Sequence, residues 1–288
     1  MLNRIYSYVC MIIGMLTLFA GRASAESGGA DAGGDLDISK ILFHHVLNNN
    51  ELELIPGMPP IILPFGITVH LLMIWLAVAL IAVLFYLNFR KRNLKIRGFA
   101  VVLESLVVFV RDDIVYPVMG EKRGKIWLPF FVTLFLFILV VNILGLIPAF
   151  KSATGNINVT TALALMILAL IIIIGIKNLG VKLFFANMYP AGTPKAIGLF
   201  VTFLEVFGTF IKAMVLSLRL FANMFAGHLA ILSFLVLIFI LGPVSSLIAV
   251  PFTVFTYSLE VLVALIQALV FTLLSCIFIV LASSSHSD

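Results

Sequence analysis

The chain has 288 residues, of which 62% are hydrophobic and 11% are charged, and its mean hydropathy is +1.22. Soluble domains are about 45–50% apolar and about 25% charged, so this chain has too little polar surface for a water-exposed fold. The composition therefore predicts an integral membrane protein. The net charge of +5 comes from Lys and Arg that lie mostly in short loops, which excludes nucleic-acid binding as its explanation. Two cysteines are too few for a disulfide framework.

Residues 1–25 have the organisation of a cleavable secretory signal peptide. Arg4 supplies the positive charge, Val9–Phe19 the apolar stretch, and Ala23-Ser24-Ala25 a cleavage site of small residues. An uncleaved first span is the alternative, but the apolar stretch is only 11 residues long. We expect residues 26–66 to form an extracytoplasmic N-terminal segment, which starts with a tail rich in Gly, Ala, Ser and Asp.

Residues 67–288 form the predicted membrane domain, with five apolar blocks that each supply the roughly 20 residues needed to span a bilayer. In chain order the blocks are Ile67–Phe89, Trp127–Phe150, Val159–Ile176, Ile197–Leu241 and Val244–Ala282. The last two would reach about 60 Å as helices, about twice the hydrocarbon thickness. We therefore expect them to tilt steeply, with kinking or protrusion as the alternatives. Gly242-Pro243 predicts a tight helical hairpin between them.

The segment Gly98–Tyr116, between the first two spans, has a different pattern. Glu104, Arg111 and Asp112 recur at helical spacing in an otherwise apolar segment, so one side of the helix is polar. That pattern is typical of a helix that lies in the membrane interface. The predicted fold is thus an all-α integral membrane protein of about five transmembrane helices and one interfacial amphipathic helix, with the last two spans long and tilted.

Lys and Arg are concentrated on one side of the membrane domain. If the five spans alternate, twelve of these residues fall on that side, in the stretches 90–97, 111–125 and 177–195, whereas the opposite loops contain only Lys151. By the positive-inside rule the basic side is the cytoplasm. The mature N-terminus is then outside and the C-terminus is cytoplasmic.

Three short motifs suggest ligands, and we discount each of them. Gly120–Lys125 is similar to a phosphate-binding loop, but it lacks one spacer residue, and Ile126 stands where Ser or Thr would bind magnesium. His44-His45 has no third metal ligand at a helical or hairpin spacing nearby. Asn158-Val159-Thr160 fits a glycosylation acceptor but adjoins a span. We expect no nucleotide, cofactor or metal site in this chain.

Three charged residues lie in the fourth span at intervals of seven. Glu205, Lys212 and Arg219 share one stripe, because seven residues advance a helix by about 700°, close to two turns; Asn223 and Ala226 extend the stripe. A charge at mid-bilayer costs at least about 2.5–3.5 kcal/mol, so we expect the stripe to face protein or water rather than lipid. Arg219 stays charged at physiological pH, so it can attract, block or orient but cannot relay a proton.

A second polar face is predicted in the outer half of the same helix pair. His228 lies nine residues beyond Arg219, on the opposite side of the helix. On the last span, Glu260 and Gln267 are seven residues apart and share a face, with Gln267 near the level of Arg219. His228 and Glu260 can therefore meet, and two titratable groups there suit a proton relay because His changes charge near neutral pH.

Simpler interpretations remain for three polar residues. Lys212 can snorkel towards the interface. Glu205, near the cytoplasmic end, can be a solvated end group. Asn142, on the second span, can simply hydrogen-bond a neighbouring helix. Arg219 lies too deep to snorkel easily, so we expect a functional role there.

The stretch Leu216–His228, LSLRLFANMFAGH, resembles the signature of subunit a of F-type rotary ATP synthases of the bacterial type. The resemblance continues in Glu260, in Gln267-Ala268 and in Asn142–Pro148, and it covers roughly Ile67 to the C-terminus. It implies one upright helix, a surface helix, a short hairpin and two long tilted helices against a rotating c-ring.

The resemblance also implies roles for individual residues. Arg219 would face the carboxylate of each passing c subunit, and Glu205 would lie near the cytoplasmic half-channel. Four residues would line the outer half-channel: Asn223, His228, Glu260 and Gln267. Lys212 and Asn142 complete the candidate set for proton translocation. The implied partners are the c-ring, the peripheral-stalk b subunits, the remaining synthase subunits and the lipid bilayer of a bacterial inner membrane, with ATP chemistry on other chains.

The sequence departs from the family pattern at two places. Several members have an acid at the position of His228 and a histidine at that of Glu260, so the pair is exchanged here. Some members have an aspartate at the position of Gly145, which puts a channel role for that position in doubt. A proton-coupled secondary transporter and a structural membrane anchor are the alternatives. Internal repeats would favour a transporter, and an anchor would not need Arg219 at mid-depth.

Overall fold

The computed structural model describes residues 51–52, 61–62, 69–89, 99–147, 152–180, 195–241 and 246–283. Most of them are helical: α1 (Val69–Phe89), α2 (Phe99–Phe109), a π-helical segment (Val110–Val115), α3 (Tyr116–Gly145), α4 (Ile157–Leu179), α5 (Lys195–Leu241) and α6 (Ser246–Ser283). Two strands of two residues each, β1 (Glu51–Leu52) and β2 (Ile61–Ile62), pair antiparallel. The predicted signal peptide, His44-His45 and the Gly242-Pro243 turn lie outside the described residues.

The predicted membrane architecture is confirmed. Five helices are long and apolar enough to cross a bilayer, namely α1, α3, α4, α5 and α6. Their bounds agree with the apolar blocks except at α3, which begins at Tyr116 rather than at Trp127. Lys125 Nζ donates to Glu121 Oε1 at 2.7 Å, an exposed i,i+4 pair in the polar turns that precede the span.

A glycine separates the surface segment from the span. Gly120 has φ 74° and ψ 162°. This backbone conformation lies outside the helical region, and residues other than glycine rarely adopt it. The helical path therefore changes direction at Gly120. The predicted interfacial helix Gly98–Tyr116 corresponds to α2 together with the π-helical segment. Its location in the membrane interface stays a prediction.

The surface segment is two-sided, as predicted. Leu103 and Ile114 are buried, whereas Glu104 and Asp112 are exposed. Arg111 donates to both carboxylate oxygens of Asp112, with distances of 2.7 and 2.8 Å. These hydrogen bonds hold the pKa of Asp112 below its usual range. Because the pair is exposed, water screens it and it contributes little to stability.

The core lies around α3. Each residue from Leu128 to Leu139 is buried, and the aromatic residues fully enclosed there are Phe130, Phe131, Phe135 and Phe137. α3 packs against α1, α6 and the π-helical segment, and α6 in turn packs against α4 and α5. Pro129 lies inside α3, and the Thr133 hydroxyl donates to its carbonyl oxygen at 2.7 Å. In lipid such close packing, rather than water exclusion, holds helices together.

The last two helices are long and continuous. α5 has 47 residues and α6 has 38, so at 1.5 Å per residue they extend for about 70 Å and about 57 Å. Both lengths exceed the roughly 30 Å of bilayer hydrocarbon. Pro251 lies inside α6 near its start. Long unbroken helices of this length favour steep tilt over kinking.

Candidate functional site

α5 and α6 run antiparallel, and two polar contacts join them. Asn223 on α5 contacts Gln267 on α6, and His228 on α5 contacts Glu260 on α6. From the first contact to the second, the residue number rises from 223 to 228 on α5 and falls from 267 to 260 on α6. The two helices therefore run in opposite directions. The face shared by Glu260 and Gln267 is also that on which Ala264 and Phe271 are buried. The predicted sharing of a face on α6 is thus present in the structure.

His228 and Glu260 meet, as the depth ordering predicted. His228 Nδ1 lies 3.6 Å from Glu260 Oε1, with side chains 24% and 8% exposed. This distance is too long for a direct hydrogen bond but suits an ion pair or a bridging water. Neither carboxylate oxygen of Glu260 has a hydrogen-bond partner among the described residues. A buried carboxylate without hydrogen bonds is costly, so this group requires water, a proton or a protonated His228.

Asn223 and Gln267 form the second contact between the helices. Asn223 Nδ2 donates to Gln267 Oε1 at 2.8 Å, and Gln267 is buried. Gln267 Nε2 has no hydrogen-bond partner within the described part of the chain. Together with the carboxylate of Glu260, it leaves unsatisfied polar atoms at two levels of one helix face. Buried water commonly satisfies such groups.

The charged stripe of α5 is largely exposed among the described helices, except at its Asn223 end, which contacts α6. Glu205 and Lys212 are exposed, and Arg219 is half-buried. Lys212 Nζ lies 5.8 Å from the centroid of the Phe278 ring on α6. Arg219 forms no hydrogen bond or ion pair with any residue that the structure describes. The predicted stripe therefore exists, and the described helices leave Glu205 and Lys212 exposed while they cover Arg219 in part.

Three hydroxyl groups fix α5 against α4 close to Arg219. Ser217 Oγ lies 3.0 Å from Thr161 Oγ1 and 3.2 Å from Thr160 Oγ1. Ser217 is two residues from Arg219, so its buried contact with α4 sets which way that part of α5 faces. The Thr160 hydroxyl also donates to the Ile157 carbonyl oxygen at 3.0 Å. Interhelical hydroxyl contacts of this kind are common in membrane bundles.

Asn142 belongs to a separate polar cluster. Its side-chain oxygen accepts from Thr154 Oγ1 at 2.8 Å, and Thr154 Oγ1 lies 3.2 Å from Ser152 Oγ. All three side chains are buried. The partner of Asn142 is thus the turn before α4 rather than a neighbouring helix. Gly145 lies next to this cluster, since a Cβ there would be 2.6 Å from Ser152 Oγ.

Sequence reasoning missed one glycine at the centre of the site. A Cβ at Gly227 would overlap the carboxylate of Glu260 and would lie 2.6 Å from its Cδ and 2.9 Å from its Cγ. The available signal was a glycine in a helix interior, beside His228, where Ala is the better helix former. The hydroxyl trio and the Thr154 contact were also missed, because both depend on how helices pack.

The arrangement brings four of the predicted residues together and leaves four apart. Asn223, His228, Glu260 and Gln267 lie between α5 and α6. Glu205, Lys212 and Arg219 lie on the charged stripe, and Asn142 lies in its own cluster. Among the described residues no group of three or more His, Cys, Asp or Glu could hold a metal ion. His228 and Glu260 combine an imidazole with an acid, and together they can accept and release a proton.

The chain is similar to known proteins over most of its length. The family model described as ATP synthase A chain matches residues 71–280. ATP synthase subunit a of Chlorobium phaeobacteroides (strain BS1) is 39% identical over 271 residues, covering 89% of this chain and 79% of that protein. ATP synthase subunit a 2 of Chlorobaculum tepidum is 38% identical over 283 residues, covering 93% and 79%.

A relative from another bacterium gives the same result. ATP synthase subunit a of Myxococcus xanthus is 39% identical over 242 residues, which is 82% of this chain and 80% of that protein. Residues 71–280, matched by the family model, include α5, most of α6 and the Asn142 cluster. The chain therefore belongs to the family of ATP synthase subunit a.

Proposed function

We propose that the chain is the proton-translocating subunit of the membrane sector of an F-type ATP synthase. One observation carries the proposal: α5 contacts Glu260 through His228, whereas Arg219, nine residues earlier on the opposite side of the helix, has no hydrogen bond or ion pair with any residue that the structure describes. A proton relay and a fixed positive charge thus lie on different sides of one helix. That separation suits a subunit that passes protons from its interior to a neighbouring chain.

The charged stripe of α5 supports an oligomeric c-ring as that neighbour. A charge that faces hydrocarbon costs at least about 2.5–3.5 kcal/mol, so Arg219 needs a partner in the assembled complex. The carboxylates of a ring of c subunits are such partners, because each passing anion pairs with the guanidinium. Arg219 would then hold each carboxylate as an anion and prevent a direct leak between two offset half-channels.

The pair of His228 and Glu260 would serve the outer half-channel. A proton from outside passes this pair, continues past Asn223 and Gln267, and neutralises a ring carboxylate. The neutral carboxylate can rotate into lipid, since the cost of burying its charge has been removed. The unsatisfied atoms of Glu260 and Gln267 support this route, because they are where water would be held. Asn142 would belong to the outer side through its polar cluster.

The cytoplasmic half-channel would use the other end of the stripe. After nearly a full turn the carboxylate returns and loses its proton on the inner side, near Glu205 and Lys212. Both side chains are exposed, as groups on a water-filled path must be. Each proton that crosses 100 mV supplies about 2.3 kcal/mol, so several are needed for each ATP made by other chains. The chain itself would be non-catalytic.

The assembly and its setting follow from the same proposal. Other ATP synthase subunits are the partners of this family, and we propose the c-ring and the peripheral-stalk b subunits in particular. The host membrane would be a bacterial inner membrane, with the N-terminus outside and the C-terminus in the cytoplasm. The concentration of Lys and Arg on one side of the predicted membrane domain supports that orientation. Family membership does not favour the alternative of a proton-coupled secondary transporter.

Purification with neighbouring chains tests the proposal. A tagged chain extracted from membranes in mild detergent should bring with it an oligomer of small, carboxylate-bearing subunits, together with an ATPase. A matched preparation of a tagged, unrelated multi-pass protein from the same membranes controls for carry-over. A chain that purifies alone and transports protons in vesicles would instead support a transporter.

A further inference from the structure

The part of α6 that precedes Glu260 has hydroxyl groups on its sheltered side. Within residues 250–259, Thr253, Thr256 and Tyr257 are half-buried, and every other residue is exposed. At 100° per residue, these three residues and Glu260 fall within about 100° of the helix circumference. One polar face, the hydroxyl stripe (Thr253, Thr256 and Tyr257), therefore leads along α6 to the Glu260 carboxylate.

The hydroxyl stripe reverses the pattern of a helix that packs through apolar contacts. The exposed residues of the same stretch are apolar, with Ser258 as the exception. Polar groups inside a membrane domain face the interior of the bundle or a water-filled cavity, and they mark ion pathways. The distribution therefore indicates a hydrated face on this part of α6, with the apolar side chains turned towards lipid or another chain.

The three hydroxyl groups of the stripe are not equivalent. Thr253 Oγ1 donates to the Ala249 carbonyl oxygen at 2.8 Å. Thr256 Oγ1 donates to the Phe252 carbonyl oxygen at 2.9 Å. The Tyr257 hydroxyl forms no hydrogen bond with any residue that the structure describes. Tyr257 is therefore the member of the stripe that can both donate to water and accept from it.

Tyr257 lies one helical turn from Glu260. Residues three apart are neighbours on a helix surface, with Cβ atoms about 5–6 Å apart. The phenol also interacts electrostatically with the Glu260 carboxylate. Neither carboxylate oxygen of Glu260 has a hydrogen-bond partner among the described residues. A water molecule bonded to the Tyr257 hydroxyl is thus within reach of an acceptor that has no other partner.

The opposite flank of the stripe is closed by aromatic rings. Phe234 on α5 and Phe252 on α6 have ring centroids 5.7 Å apart. Phe252 lies five residues before Tyr257, which places it about 140° away around α6. In the proposed orientation this apolar contact lies further out than His228 and Glu260. The side of α6 that carries Tyr257 is therefore the polar approach to Glu260.

From this geometry we infer that Tyr257 is a positioning residue of the outer half-channel, whose hydroxyl holds the water molecule that delivers protons to Glu260. The inference rests on the proposed function, since it assigns the entry route of that half-channel. The held water loses a proton to the carboxylate and regains one from the water outside. Tyr257 keeps its own proton throughout, because it only donates and accepts hydrogen bonds. A donor and acceptor joined through one water are close enough for proton transfer.

The test removes the hydroxyl and keeps the ring. ATP-driven proton pumping is measured in inverted membrane vesicles and normalised to the amount of assembled synthase. Tyr257→Phe should pump about three- to tenfold more slowly, the range that one lost hydrogen bond gives. The thermal stability of the complex should not change, because the hydroxyl bonds no other described residue. Unaltered pumping by Tyr257→Phe would overturn the inference.

The matched control lies at the next position of the same helix. Ser258 is exposed, and its hydroxyl donates to the Val254 carbonyl oxygen at 3.0 Å. Ser258→Ala removes a hydroxyl that is outside the stripe and already bonded, so it should pump at the unaltered rate. A loss as large as that of Tyr257→Phe would mean that any hydroxyl of this stretch matters, and the role given to Tyr257 would be wrong.

Two ring and chain replacements separate water positioning from packing. Tyr257→His restores a ring with a donor and an acceptor and should pump severalfold faster than Tyr257→Phe. Tyr257→Leu keeps only apolar bulk and should pump no faster than Tyr257→Phe. If Tyr257→His is no better than Tyr257→Leu, the side chain serves packing and the inference is wrong.

Thiol labelling tests whether this side of α6 is hydrated. Spheroplasts are treated with a charged methanethiosulfonate from outside, and inverted vesicles are then prepared from them. The reagent should block pumping after Tyr257→Cys but not after Phe255→Cys, because Phe255 lies on the exposed apolar side. The unsubstituted chain, with its own cysteines, gives the background. Equal effects on the two variants, or none on either, would contradict the entry route.

The proposed function and this inference fail in different ways. If Arg219→Ala pumps normally, or if no ring purifies with the chain, the proposed function is wrong whatever the Tyr257 variants do. If Arg219→Ala is inactive while Tyr257→Phe pumps at the unaltered rate, only the role of Tyr257 is wrong.

Discussion

α3 and α5 are both apolar helices of one bundle, yet they are buried to very different extents. In the most apolar stretch of Ala100–Gly145, which contains α3, 78% of the residues are buried. In the most apolar stretch of Ile197–Phe234, which lies in α5, 11% are buried. α3 carries no charge from Trp127 to its end and holds four fully enclosed phenylalanines. α5 carries Glu205, Lys212, Arg219 and His228.

The difference indicates which helix of the bundle another chain can contact. A helix packed on all sides holds the others in place but has no free surface, whereas a helix at the edge can present charges to another chain. α5 is held at Ser217 by two hydroxyl contacts to α4 and along α6 by its two polar pairs. Its remaining surface is left for the partner. The charged residues thus lie on one of the least buried helices, which packs against α4 and α6, and α6 packs in turn against the most buried helix, α3.

The comparison is tested most directly by removing the charge of Arg219 from the exposed face of α5. Arg219→Ala should lower ATP-driven proton pumping by at least about a hundredfold, as the loss of a preorganised charge does elsewhere, while the complex still assembles. Arg219→Lys should also fail, because an ammonium lacks the planar set of donors and loses its proton more readily when desolvated. Pumping in inverted vesicles is the measurement.

The control for Arg219 lies on the same helix. Leu218→Ala changes an adjacent side chain that is exposed and uncharged, so it should assemble and pump close to normally. Near-normal pumping by Arg219→Ala would contradict the role given to the exposed face.

The second prediction concerns the buried face. His228→Glu would place two carboxylates together, so that repulsion forces one to keep its proton, and Glu260→His would leave two imidazoles without an anion. Each single variant should pump about tenfold more slowly or worse, and the double variant should recover clearly more flux than either. Residues in one network have non-additive effects of this kind. Flux normalised to assembled complex is the measurement.

The structure limits how much flux the double variant can recover. An imidazole at position 260 must fit the space over Gly227, which now holds a carboxylate, so we expect partial recovery rather than full flux. A double variant as impaired as the product of the two singles would mean that His228 and Glu260 act separately.

The third prediction addresses α3 and should have the smallest effect on transport. Phe135→Ala removes a fully buried ring from the core, which costs on the order of 2 kcal/mol, chiefly through the cavity left behind. The change should reduce the thermal stability and yield of the complex but leave pumping per assembled complex nearly unaltered. Thermal denaturation of the purified complex and vesicle pumping measure the two quantities. A large loss of flux per complex would mean that α3 takes part in translocation.

Much of this arrangement was predictable from periodicity and depth. The seven-residue spacing places Glu205, Lys212 and Arg219 on one stripe, and nine residues place His228 opposite Arg219. Antiparallel alignment across the hairpin then brings His228 to the level of Glu260, as the structure has it. Such arguments succeed because a continuous helix fixes both angle and rise.

The remaining features depend on distances between elements, which periodicity does not contain. The overlap at Gly227 depends on how closely α5 approaches α6. The hydrogen bond from Thr154 to Asn142 depends on the path of a turn rather than on a helix. The early start of α3, at Tyr116, falls where a loop was expected from polarity alone.

The close packing at Gly145 limits which residue can stand at the end of α3. A Cβ there would lie 2.6 Å from Ser152 Oγ, 2.8 Å from Ser152 Cβ and 2.8 Å from Met224 Cε. The methionine end can swing aside, but Ser152 is held by Thr154 and by the backbone N–H of Gly155. Any larger residue at position 145 would therefore overpack the turn before α4, and the same turn supplies the hydrogen bond to Asn142.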